Sequence, residues 1–118
     1  MFWIEQDERS LSEILKEAVS HYENHRRTGN QGEKFAYIYE MLSLQEHVFL
    51  LYIKADQDSD TENLARHTEY VLDNTDAADY SRRELDDLFY VIDELEKPKI
   101  PSVTFRECED RLKKIMAK

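Results

Sequence analysis

Apolar side chains recur at spacings of three and four residues in five segments of the chain, the pattern of α-helices that each bury one face. The predicted helices cover about residues 11–28, 31–55, 61–73, 82–96 and 105–117. Only two glycines and two prolines occur in 118 residues, and so few turn signals argue against an all-β fold. The pattern therefore predicts an all-α fold, a bundle of four to five helices forming a single domain over residues 1–118.

Capping residues mark where these helices begin. A serine, threonine or asparagine followed three residues later by glutamate satisfies the free backbone N–H groups of a helix start. Five such pairs precede the five apolar segments: Ser10 with Glu13, Asn30 with Glu33, Ser59 with Glu62, Ser81 with Glu84, and Thr104 with Glu107. Helices 1 and 2 are separated by only a few residues, which predicts an antiparallel hairpin.

The segment from Lys34 to Ala55 is the most apolar of the chain. Placed on a helical wheel, it leaves a thin polar stripe, and a helix that is apolar in nearly every other direction is typically buried. We therefore expect helix 2 at the centre of the bundle, with the other helices around it. The expected exposed stripe consists of Glu40, Ser43, His47 and Lys54.

Glu46 interrupts the apolar arc of helix 2, where it projects between Phe35, Tyr39 and Ile53. A buried carboxylate is unfavourable unless it is paired, and such groups are often functional. The sequence leaves two interpretations open. Glu46 is either hydrogen-bonded in a gap between neighbouring helices or part of a functional site.

Acidic residues outnumber basic ones by 26 to 16, so the net charge is −10. This charge disfavours nucleic acid and anionic membranes as partners. The single Cys108 excludes an internal disulfide and any multi-cysteine metal site, which fits a cytoplasmic protein. The N-terminal arm, residues 1–9, has no signal-peptide pattern, and its Trp3 is expected to dock on the core. The longest apolar run, Val48–Ile53, is too short to span a membrane.

Candidate metal ligands are few. His21 and His25 lie one helical turn apart, a spacing that can hold one divalent ion. No Glu-x-x-His pair of the di-iron type accompanies them. The acidic run Asp56–Asp60 resembles the start of an EF-hand loop, but Thr61 and His67 stand where that loop needs glycine and glutamate. We therefore expect neither a bound metal nor a cofactor.

No motif for a catalytic nucleophile or a phosphate-binding loop is present, so we expect no enzymatic activity. Glu84 and Asp87 resemble half of the carboxylate set of all-α nucleoside triphosphate pyrophosphatases. The remaining carboxylates of that set, which lie on an earlier helix in those enzymes, have no counterpart in this sequence.

Charge is distributed unevenly along the chain. Residues 56–96 contain 14 acids and 3 bases, whereas residues 97–118 contain 7 bases and 3 acids. On helix 4, apolar side chains stand among carboxylates, a composition in which the acids steer a basic partner and an aromatic ring anchors it. The alternative is a solvated acidic face. The candidate partner-binding residues are Asp86, Asp87, Tyr90, Val91, Asp93 and Glu94.

These features favour a non-enzymatic interaction module that binds and neutralises a basic protein, as immunity proteins, antitoxins and phage inhibitors do. The segment ELDDLFYVIDEL, residues 84–95, is similar to small colicin-type immunity proteins over less than a third of the chain. That resemblance implies that helix 4 occupies the nucleic-acid-binding surface of a nuclease.

Two alternatives remain. One is a structural or regulatory bundle that self-associates, for example as a homodimer, through helix 2 or the N-terminal arm. The other is a metal-dependent helical-bundle enzyme built on His21 and His25.

Overall fold

Five α-helices make up most of residues 8–117, the part of the chain that the computed structural model describes. The predicted all-α helical bundle is confirmed. Trp3 and its expected docking lie outside the described residues. No helix within residues 8–117 has the length and apolar character that crossing a membrane requires. The helices are α1 Leu11–Thr28, α2 Gln31–Lys54, α3 Asp60–Asp73, α4 Arg82–Leu95 and α5 Ser102–Met116, with a short 3₁₀ turn at Ala77–Asp79.

Local side-chain chemistry sets most helix starts. Ser10 and Ser81 form complete capping boxes with Glu13 and Glu84, as the sequence predicts. Gly29 ends α1 with φ 73°, a left-handed conformation that glycine adopts without strain. The chain then turns directly into α2.

Helix α5 begins differently from the prediction. Pro101 precedes its first residue, and its carbonyl accepts the backbone N–H of Phe105 at 2.8 Å. Pro101 is the N-cap residue, with φ −60° and ψ 149°, and α5 has no side-chain cap. The predicted start at Thr104 is therefore wrong, and α5 gains an additional N-terminal turn.

The helices pack as two connected groups. α1 and α2 form a hairpin and contact each other along their lengths, and α3 packs on α2. α4 and α5 pack together, and they join the first group through α1–α4, α3–α5 and α3–α4 contacts. The fully buried large side chains of this core are Ile14, Leu15, Leu44, Val48, Leu64, Thr68, Leu85, Leu88, Val91, Ile92, Leu95 and Ile115.

Helix α2 has two apolar stripes on opposite faces. The inner stripe contacts the core and consists of Tyr37, Met41, Leu44, Val48 and Leu51. The outer stripe faces solvent and consists of Phe35, Tyr39, Leu42, Glu46, Phe49 and Ile53. The prediction that helix 2 is buried nearly all round is therefore wrong. Since α1 and α3 are the helices that pack extensively on α2 among the described residues, one of its apolar faces stays open.

The polar stripe predicted on α2 is mostly buried rather than exposed. Glu40 and Ser43, expected in solvent, are buried. Arg9 compensates the Glu40 carboxylate by donating hydrogen bonds to both of its oxygens, at 2.9 and 3.1 Å. His47 is half-buried, and Lys54 is exposed as predicted.

Candidate interaction surface

The outer stripe is an apolar face in which Glu46 is the one charged residue. Its six residues follow one another in alternating steps of four and three, which is the spacing of the contact positions in a coiled coil. They span about 27 Å of the helix at 1.5 Å per residue. Five of the six are large apolar side chains with the following exposed fractions: Phe35 67%, Tyr39 52%, Leu42 55%, Phe49 46% and Ile53 56%.

The stripe differs in charge from the rest of the molecule. Within residues 35–53, the six stripe positions are the exposed ones, and Glu46 is the only charged residue among them. Charged residues make up 36% of the whole chain. An exposed apolar face of this length is typical of a protein-binding site.

The borders of the stripe are held in place by neighbouring side chains. On one side, the Gln45 amide donates hydrogen bonds to Glu69 and Asp73 of α3, at 3.4 and 3.2 Å. Nearby, the half-buried Tyr52 packs against Phe49 with 6.3 Å between ring centroids and a tilted geometry favourable for aromatic pairs. These contacts limit the freedom of the stripe, so less conformational entropy is lost when a partner binds.

Glu46 lies in the middle of the stripe and is exposed. The prediction that it is a buried carboxylate is therefore wrong. Its neighbours on the helical wheel are the predicted ones, but the whole arc faces water. The interpretation that Glu46 is hydrogen-bonded in a gap between helices is therefore withdrawn. Its functional interpretation stays a prediction, now for a single charge at the centre of an exposed apolar face.

The acidic face predicted on α4 is largely covered. Val91 is fully buried and Asp87 nearly so, which makes their expected exposure wrong. Arg111 of α5 compensates the Asp87 carboxylate, because its guanidinium donates a hydrogen bond to Asp87 at 3.0 Å. The same group lies 4.1 Å from the centre of the half-buried Tyr90 ring, which is cation–π distance. Asp87 and Tyr90 thus dock α5 onto α4.

The remaining α4 candidates are partly neutralised. Glu94 is buried, contrary to expectation, and accepts a hydrogen bond from Lys97 at 2.6 Å. This hydrogen bond raises the pKa of the Lys97 ammonium. Asp93 is exposed and lies 3.9 Å from the same ammonium, and Asp86 is exposed and paired with Arg82. Of the six candidates, Asp86 and Asp93 are the ones that stay fully on the surface.

The candidate metal ligands His21 and His25 make separate contacts. His21 Nδ1 lies 2.5 Å from a Glu33 carboxylate oxygen, and His25 Nδ1 lies 3.0 Å from the Asn30 carbonyl oxygen. His25 is not part of the histidine–carboxylate group that the structure brings together around His21.

That group consists of Glu17, His21 and Glu40, whose ligand atoms lie within 4.8 Å of one another. The guanidinium of Arg9 already binds both Glu40 oxygens and supplies positive charge where a cation would sit. A metal would have to displace this bidentate ion pair. The Arg9–Glu40 ion pair therefore accounts for the buried Glu40 carboxylate of this group.

Cys108 is buried, and burial raises the pKa of its thiol to about 12. Its sulfur stays protonated at neutral pH, so it has the properties of a packing residue rather than a nucleophile.

Sequence reasoning missed the outer stripe because both apolar faces of helix 2 were assigned to the core. Glu46 was the available signal. When one of two apolar stripes with the same spacing carries a charge, burying that stripe costs more free energy, so it is the one that is left in water.

Comparison with known proteins identifies no relative: no family model, curated protein or solved structure matches the chain.

Proposed function

We propose that this protein is an interaction module that binds a helical partner through the outer stripe of α2. The observation that carries the proposal is the coiled-coil spacing of the six exposed residues. A face with contact positions in steps of four and three is complementary to another helix with the same spacing, because the side chains of each insert between those of the other. The histidine–carboxylate group and Cys108 described above offer no comparably organised site.

The size of the face is sufficient for specific binding. A large aromatic side chain buries about 150–250 Å² when fully covered, so five large side chains at roughly half exposure offer on the order of 500 Å². At about 25 cal/mol per Å², covering them is worth roughly 10 kcal/mol before the cost of association. That cost is itself at least about 4 kcal/mol, which indicates a reversible complex rather than a permanent one.

A basic protein partner remains a second candidate, supported by a different observation. The connections at the two ends of α3 expose carboxylates, and within residues 8–117 none of them forms an ion pair like the one between Arg111 and Asp87. These exposed residues are Asp56, Asp58, Asp60, Asp73 and Asp76. Exposed carboxylates favour fast, salt-sensitive association with a positively charged protein. We rank it second because four of the six α4 residues first assigned to it help to hold α4 in the fold.

The size of the native complex tests the proposal. The tagged chain would be expressed in the cells that produce it, and extracts would be separated by gel filtration. We expect the wild type to elute in a complex larger than the monomer. Leu42→Glu places a charge in the middle of the stripe and should return the chain to the monomer position. Since Leu42 is exposed, this substitution should leave the helical circular dichroism unchanged.

Val103→Glu is the matched control, because Val103 is 80% exposed, apolar and located on α5 away from the stripe. It should leave the complex intact. Elution of the wild type as a monomer, or a complex that survives Leu42→Glu, would contradict the proposal.

A further inference from the structure

We infer that the helix bound by the outer stripe is α2 of a second copy of this chain, arranged antiparallel. The inference rests on the proposed function and names its partner. Three properties of the stripe support it: a spacing that reads the same in both directions, near absence of charge, and sufficient area for a dimer.

The spacing of the stripe is symmetric. Steps of four, three, four, three and four residues read identically from either end of α2. A twofold axis through the middle of the stripe therefore places Phe35 opposite Ile53 of the second copy, and Tyr39 opposite Phe49 of the second copy. Leu42 then lies opposite Glu46. Every large apolar side chain except Leu42 meets another apolar one, as an isologous interface requires.

The low charge of the stripe favours a second copy of this chain as the partner. Two copies that each carry a net charge of −10 repel each other over most of their surfaces. They can approach closely only through a face with few charges, and the outer stripe has one acidic and no basic residue. A basic or acidic partner would find no complementary charge there to recognise, whereas an identical face needs none.

The area also fits a dimer. About 500 Å² of stripe side chain on each copy gives roughly 1,000 Å² in total, the lower range for a specific interface. Half-buried residues at the borders, such as Ile38 and Tyr52, would add to it. Covering a stripe of this length requires a helix of similar length, and a second α2 provides one with the matching spacing.

Glu46 makes the interface reversible. The two Glu46 carboxylates would lie within about one helical turn of each other on either side of the twofold axis. A like-charge pair surrounded by apolar side chains weakens association and opposes shifted registers, which is the known effect of a single polar residue at a coiled-coil contact position.

Sedimentation equilibrium of the purified full chain tests the inference. We expect a monomer–dimer equilibrium for the wild type. Glu46→Leu should tighten it by roughly tenfold or more, because two unfavourable carboxylates are removed from the interface. Leu42→Glu should leave only monomer, since it adds a second pair of acids at the axis. Val103→Glu should behave as the wild type. A wild type that stays monomeric at all concentrations, or a dimer unaffected by these stripe variants, would overturn the inference.

Disulfide trapping tests the orientation. Introduced surface cysteines react selectively, because Cys108 is buried and protonated. Mixing Phe35→Cys protein with Ile53→Cys protein under mild oxidation should yield mainly the mixed disulfide between positions 35 and 53. Predominant disulfides between two copies of position 35 would indicate parallel pairing and contradict the inference.

A further experiment distinguishes a second copy of the chain from other partners that could cover the stripe. If a chain beginning at residue 8 dimerises while the full chain stays monomeric, the N-terminal segment covers the stripe and the inference is wrong. If the purified chain is monomeric but Leu42→Glu still dissolves the complex in cell extracts, the partner is a different protein. In that case the inference fails and the proposed function stands.

Discussion

Tyr37 shows how a single buried side chain connects distant parts of this fold. It belongs to the inner stripe of α2, and its hydroxyl donates a hydrogen bond to the Ala77 carbonyl in the 3₁₀ turn at 2.6 Å. Burial raises the pKa of Tyr37 far above its usual value, and the nearby buried Tyr80 is raised in the same direction by its own burial. The folded state therefore requires both phenols to be neutral.

A linkage between stability and alkaline pH follows for Tyr37. Its contribution is fully present below about pH 10, where an unfolded tyrosine is still protonated, and is lost as the pH rises further. Tyr37→Phe should lower the free energy of unfolding at neutral pH by about 1 kcal/mol through the lost hydrogen bond. The variant should then lose less stability than the wild type between pH 7 and about pH 11. Urea unfolding at both pH values measures this.

Tyr70→Phe is the control, since Tyr70 is 58% exposed. It should change neither the stability at neutral pH nor its alkaline dependence. Equal alkaline losses in the wild type and the Tyr37→Phe variant would show that Tyr37 is not the group responsible.

At the scale of helices, Arg111 fixes α5 against α4. Its Nη1 donates to Asp87 and its Nε donates to Glu107, both at 3.0 Å, while its guanidinium stacks on Tyr90. One side chain thus compensates a buried carboxylate and covers an aromatic ring. The same contact covers Asp87 and part of Tyr90, two of the six residues predicted to bind a partner.

Removing this side chain should be costly. Arg111→Ala leaves Asp87 buried without its guanidinium and should lower the free energy of unfolding by about 2–3 kcal/mol. Arg111→Lys keeps the charge but loses the planar contacts, so it should cost about 1 kcal/mol. Thermal and urea unfolding measure both. Arg106→Ala, an exposed site on the same helix, should stay within about 0.5 kcal/mol of the wild type. Equal effects at the two sites would contradict the assigned role.

Glu96 links two helices whose ends lie far apart in the sequence. It follows α4, and its carboxylate accepts hydrogen bonds from the backbone N–H groups of Leu11 and Ser12 at 2.7 and 3.1 Å. The Ser12 hydroxyl adds a third hydrogen bond at 2.7 Å. The negative charge therefore lies at the positive end of the α1 dipole.

Neutralising the Glu96 carboxylate should destabilise the first turn of α1. Glu96→Gln should lower the free energy of unfolding by about 0.5–1 kcal/mol, because a charge at a helix N-terminus is lost while the side chain keeps its shape. Hydrogen exchange should quicken at residues 11–13 and stay unchanged within α5. Asp93→Asn, one turn earlier on α4, is the control, and faster exchange at α1 in that variant would argue against a specific cap.

At the scale of the whole molecule, the net charge of −10 and the weakly charged outer stripe have opposite effects on association. Negative charge repels copies over most of the surface, and in the proposed dimer the stripe is the face through which they pair. Salt screens the charge repulsion between copies and does not weaken apolar contact between their stripes.

The response to salt therefore distinguishes the two proposed kinds of partner. Dimerisation through the stripe should strengthen as sodium chloride is raised, because repulsion between like molecules is screened. Binding of a basic protein to the exposed acids around α3 should weaken under the same conditions. Sedimentation equilibrium across a salt series measures dimerisation. Titration with a basic polypeptide such as polylysine, across the same salt series, measures binding to the exposed acids. A dimer that dissociates on adding salt would contradict pairing through the stripe.

Local chemistry made much of the fold predictable from the sequence. Each helix is encoded by its own periodic apolar residues, and most starts are encoded by caps within three residues, as at Ser10 and Ser81. Such interactions depend on residues close together in the chain, so they are visible without a structure. The start of α5 was not predictable in this way, because its N-cap residue Pro101 provides no side-chain cap.

The tertiary structure decided which faces meet. α2 carries two apolar stripes of the same spacing, and the sequence alone does not state how many helices are available to cover them. Only the placement of α1 and α3 buries Tyr37 and Leu44 and leaves Phe35, Leu42 and Glu46 in water. The pairing of the buried Asp87 with Arg111 of α5 depends in the same way on a contact between residues of different helices. The sequence by itself thus determined the helices, and long-range packing decided which of their apolar and acidic surfaces remain open to a partner.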